Sequence, residues 1–119
     1  MTKLFLDRDI ILKRINGIQG EIKELEKLAQ LSFEEFEKGV GFKLAQFHLH
    51  RALEGVFHIS AHILSRIPGA QASEYKEMAR KIGEYHIVDK HFADTALQEM
   101  AGYRIIKSSM INWLILMFS

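Results

Sequence analysis

Phe42, Ala45, Leu49, Ala52, Val56, Ile59 and Ile63 fall three or four residues apart along one unbroken stretch of the chain. No other feature constrains the fold as much. That spacing lays an apolar stripe along one face of an α-helix and does not suit a strand, whose side chains alternate from face to face. The stripe predicts a helix over about residues 42–66, roughly 36 Å long, stopped by "IPGAQ". A helix that long with a continuous apolar face has to be covered by other elements.

The rest of the chain supplies helical partners. From Asp7 to about Gln30, the residues Ile11, Ile15, Ile18, Ile22, Leu25 and Leu28 share one face, with Arg8, Lys13, Glu21, Lys23, Glu24 and Lys27 lying largely off it. Ser32 followed by Glu35 is a capping-box pattern that opens a short helix, interrupted by Gly39 and Gly41. Ser73 is the expected cap of a further helix carrying Tyr75, Met78, Ala79 and Ile82, broken at "GEYHIV". Asp89 is the expected cap of the last one, with Phe92, Ala96, Met100, Tyr103, Lys107 and Met110 at helical spacing. No segment alternates, and one proline and eight glycines leave few strong breakers. The expectation is an all-α fold, an antiparallel bundle of four to five helices in a single domain over residues 1–119.

Bulk properties exclude some functions. Sixteen Lys and Arg against 15 Asp and Glu leave a formal charge of +1, so only local patches can attract a polyanion. The chain has no cysteine, which rules out disulfides and thiolate catalysis and suits a reducing cytoplasm. The ending, "GYRIIKSSMINWLILMFS", is apolar but short. Lys107, Ser108, Ser109 and Asn112 interrupt it, and a span needs about 20 predominantly apolar residues. No membrane association is expected. Exposed "WLILMF" would promote aggregation, so the tail is expected to be buried or packed against a second copy.

The polar residues that suggest chemistry lie beside the long stripe. Arg51, Glu54, His58, His62 and Arg66 form a strip along one edge of that helix. One reading is the polar rim of a core. The sharper one is a groove for phosphate or RNA, because Arg and His donate to phosphate oxygens. Glu54, His58 and His62 also sit one turn apart, a spacing that can hold a metal if His86 or His91 converges on it. No Walker or Rossmann phosphate loop, G-x-S-x-G elbow or H-E-x-x-H motif is present, and no metal or cofactor is expected.

Taken in order and spacing, "ILKRINGIQGEIKELEKLAQLSFEEF", "HRALEGVFHISAHILSRI" and "SEYKEMARKIGEYHIVDKHFADTALQEMAGYR" resemble the HepT-like branch of the HEPN superfamily over about residues 5–104. "ALE" with "AHI", "SEYKE" and "EMAGYR" carry most of the likeness. The resemblance implies a cytoplasmic helical bundle that forms a homodimer, the toxin of a pair whose antitoxin is a small nucleotidyltransferase, and a metal-independent endoribonuclease acting on RNA. Its motif is an Arg, usually followed by Asn, then a His one to two helical turns on. The His would move protons at the ribose 2′-hydroxyl and the leaving oxygen, and the Arg would offset charge on the phosphate.

Carried over, Arg104 occupies the position of the motif Arg. Beyond it the pattern stops: Ile105 stands where Asn is usual, and Ser109 to Ile111 hold no His. Either the ending has degenerated or a frameshift just after Arg104 replaced it. Under both, the chain as written is expected to be inactive or impaired. The alternative function is a non-catalytic helical dimer that binds a nucleotidyltransferase partner or a nucleotide.

Overall fold

Asp7 starts the first helix as the sequence predicts. Its Oδ1 accepts the Ile10 N–H at 3.2 Å, satisfying one of the orphan amides of the first turn, and α1 runs Arg8–Ala29. The computed structural model describes residues 6–31, 33–39 and 41–102. Within them α1 is followed by α2 (Phe33–Lys38), α3 (Gly41–Ser65) and α4 (Tyr75–Glu84). A final helical segment comprises α5 (Lys90–Phe92), a π-helical turn (Ala93–Leu97) and α6 (Gln98–Ala101). There is no strand among the described residues. Ser32, of the expected capping box, lies outside the described residues, as do Tyr103, Arg104 and the apolar tail.

The second aspartate cap is also present: Asp89 Oδ2 accepts the Phe92 N–H at 3.1 Å. Ser73 does not act as predicted. The residue before α4 is Glu74, which makes no side-chain cap bond, and the helix begins at Tyr75. Ser73 therefore sits one position too early to reach the first-turn amides. Between α4 and α5, His86 adopts a left-handed φ of 57°, which ends α4 sharply inside "GEYHIV".

α1 and α3 form the long antiparallel pair. Asp7, at the start of α1, meets His62 near the end of α3, and Glu21 meets His48 and Arg51. Gly55 lets the two helices approach closely, since a Cβ there would lie 2.6 Å from Ile18 Cγ1. α4 and the final segment form a second antiparallel pair. Here Gly83 faces Ala93, and Gln98 Nε2 donates to the Lys76 carbonyl at 2.8 Å.

α3 lies between the pairs, which is why its buried face is wider than one stripe. Ala45, Leu49, Ala52 and Val56 are buried as expected, and so are Leu53, Phe57 and Leu64. Phe57 is fully enclosed and stacks on Tyr75 of α4, with ring centroids 4.5 Å apart. Each such large side chain contributes about 1.5–3 kcal/mol by leaving water. Phe42, placed on the stripe by its spacing, is instead 49% exposed at the start of α3, where its ring meets the edge of Phe36. No helix among the described residues is long and apolar enough to cross a membrane.

Candidate functional site

The two long helices leave a groove between them on one side. It measures about 550 Å³, within the range of ligand sites, and Ile10, Lys13, Arg14, Gly17, Ile18 and Glu21 of α1 face Arg51, Glu54, Gly55 and His58 of α3 across it. The groove exists where the residues at the contact are small: Gly17 has nothing within 4 Å of the place a Cβ would occupy.

Three of the five residues in the sequence-predicted strip line this groove: Arg51, Glu54 and His58. The other two do not. His62 is half-buried and its Nε2 accepts the Asp7 N–H at 3.0 Å, so the ring holds the start of α1 against α3. Arg66 lies exposed in the turn after α3. Arg104 lies outside the described residues.

Within the groove the charges are not equivalent. Glu21 accepts Arg51 Nε at 2.8 Å and also holds His48 Nδ1. Burial raises the Glu21 carboxyl, but hydrogen bonds and charge from Arg51 and His48 outweigh it and hold the group below the ordinary glutamate value of 4.5. Arg51 is fixed on its other side by the Phe47 ring, 5.5 Å from its guanidinium carbon. Glu54 pairs with His50 Nε2 at 2.6 Å. Lys13, Arg14 and His58 form no ion pair among the described residues.

A smaller depression of about 260 Å³ adjoins the first through Glu54 and is lined also by Gln46, His50, Leu53, Tyr75, Met100 and Ala101. Ala101 precedes Arg104 by three residues in the sequence.

Among the described residues no group of three His, Asp or Glu could hold a metal ion. Glu54 and His62 are engaged elsewhere, and His86 and His91 are exposed beyond α4 and in α5. Sequence reasoning missed the whole α1 wall of the groove, and His50 with it. Only the run of two glycines, Gly17 and Gly20, on an otherwise well-formed helix signals an opening there, since glycine inside a helix costs about 0.5–1 kcal/mol relative to alanine.

The described residues form a small all-α bundle built on two long antiparallel helices, with a groove lined by basic and acidic residues between them. The particular family follows from comparison. The model of the ribonuclease HepT-like family matches residues 18–106, about three-quarters of the chain. The chain belongs to the HepT-like ribonuclease family. No curated protein and no solved structure matches it.

Proposed function

We propose that the chain is a toxin-type endoribonuclease subunit, working in the cytoplasm as a homodimer under the control of a small nucleotidyltransferase antitoxin, and impaired as written. One observation carries this: the match to the ribonuclease HepT-like family covers residues 18–106 and so takes in Arg104. Arg104 supplies positive charge for a phosphate at the point of cleavage. Its strand-breaking step is attack of the ribose 2′-oxygen on phosphorus, with loss of the 5′-oxygen and formation of a 2′,3′-cyclic phosphate. The proton leaving the 2′-oxygen is the one the 5′-oxygen needs, so no co-reactant is required. What the sequence lacks after Arg104 is the motif His to carry that proton, and such a group typically contributes about 10²–10⁴-fold. The α1–α3 groove would bind the flanking RNA.

The missing His equally favours a second reading, a binding module that never cleaves. Replacing Ile105→Asn and Met110→His together separates the two. On the ribonuclease reading the double variant cleaves single-stranded RNA about 10²–10⁴-fold faster than the parent, and Arg104→Ala abolishes the gain. A double variant that binds RNA or a nucleotidyltransferase but cleaves nothing would leave the binding module. Sequencing the locus past the Arg104 codon tests the frameshift: a one-base shift that opens an Asn…His frame supports it.

A further inference from the structure

Arg51 is the cation that the sequence puts first in the groove, but its position argues for a structural role. Its Nε is committed to Glu21, which is only 17% exposed, and its guanidinium is packed over Phe47. Glu21 is paired with Arg51 and His48, and Glu54 with His50. The cations of the cleft that form no ion pair among the described residues belong to α1: Lys13 and Arg14, both exposed and both lining it. Opposite them stands His58, also exposed and in no ion pair among the described residues. Ile10, 47% exposed, adds apolar surface beside them, and Ile18 and Gly55 also line the cleft.

We propose that this α1 wall, Lys13 and Arg14 with the open floor at Gly17, seats the phosphodiester backbone of single-stranded RNA, and that Arg51 serves to position Glu21 rather than to hold phosphate. The proposal rests on the ribonuclease reading above and names the residues that hold its substrate. A cationic pair along one edge and apolar surface beside it match the two sides of an unpaired nucleotide strand, charged backbone and exposed sugar and base faces. A carboxylate-rich ligand would find the same cations but gain nothing from Ile10.

The test is binding of a 5′-labelled, unstructured RNA oligonucleotide of mixed sequence, followed by fluorescence anisotropy across a salt series. Five proteins are compared: the full chain, Lys13→Ala/Arg14→Ala, Arg51→Ala, Gly17→Leu, and Lys23→Ala/Lys43→Ala, which removes two cations from the same helices that do not line the groove. Each contact to a single-strand phosphate contributes about 0.7 to the slope of log K against log salt. The first double variant is expected to lower that slope by about 1.4, and Arg51→Ala and the Lys23/Lys43 control to leave it unchanged. Gly17→Leu removes no charge and favours helix, yet fills the cleft, so it is expected to weaken binding at least tenfold while circular dichroism shows the fold intact.

Equal slope losses in the Lys13/Arg14 variant and the control, an unaffected Gly17→Leu, or a lowered slope in Arg51→Ala overturn the assignment while leaving RNA binding itself standing. A parent chain that binds no RNA overturns the assignment and the ribonuclease reading together.

Discussion

Glu21 and Glu54 each pair with a histidine, yet they are not expected to matter equally. The His50–Glu54 pair lies on one helix, with side chains 62% and 42% exposed, where water and salt screen it and such pairs contribute little. Glu21 and His48 are each 17% exposed and join α1 to α3, with Arg51 as a second donor. Glu21→Gln keeps the shape, removes the charge and turns an amide toward Arg51. It is expected to lower stability at neutral pH by about 1–2 kcal/mol, the range for a hydrogen bond to a charged group moderated by partial exposure, whereas Glu54→Gln should be near neutral. The pH dependence has a definite sign. The folded Glu21 group titrates below its ordinary value of 4.5, so its contribution is complete above that value and is lost as pH falls through the lower folded value. Urea unfolding at stepwise lower pH should show the parent and Glu21→Gln converging in acid. A gap that persists there would mean that packing, not charge, is what the substitution removes.

Helix-to-helix spacing is set by two glycines whose effects are opposite to their propensities. Alanine is favoured over glycine in a helix by about 1 kcal/mol, but a Cβ at Gly55 would come within 2.6 Å of Ile18 Cγ1, and at Gly83 within 2.5 Å of Ala93 Cβ. Gly55→Ala is expected to cost about 1–2 kcal/mol net, and Gly83→Ala about 2–3 kcal/mol because its neighbour has no flexible end to move. In an Ile18→Ala background the Gly55→Ala change should become stabilising, a reversal of sign that a double-mutant cycle by chemical denaturation detects. These contacts also explain which parts of the molecule could be read in advance. The Asp89 cap is local, so the residue itself announces it, and Asp7 stands where the periodic residues of α1 begin. Arg51, Glu54 and His58 share one helix, and their spacing places them together. Leu53, Phe57 and Leu64 were not legible as core, because a single stripe describes a helix covered on one side and α3 is covered on two. Lys13, Arg14 and Glu21 were not legible as groove residues, because the register of α1 on α3 is fixed by Gly55 against Ile18, and periodicity along either helix carries no information about it.

Across the described residues two antiparallel pairs meet at α3: α1 and α3 line the groove, and α4 packs with the final segment. Phe57, fully buried on α3 and stacked on Tyr75, is the largest side chain joining the pairs. Truncating it removes a large core group and the ring contact together, so Phe57→Ala is expected to cost about 3–5 kcal/mol. Set against a usual domain stability of about 5–15 kcal/mol, that loss need not unfold the chain, but it weakens one seam selectively. Hydrogen exchange would show this directly. In the parent, the buried amides of α1 near Ile22 and of α4 near Ile82 should open with similar free energies, as one cooperative unit. In Phe57→Ala the α4 amides should open at clearly lower free energy than those of α1, because the Gly55–Ile18 and Glu21 contacts are untouched. Equal losses in both helices would mean that the bundle unfolds as one body regardless of this seam. If the α4 amides do separate, RNA binding by the groove should survive the substitution, since the groove is built from α1 and α3 alone.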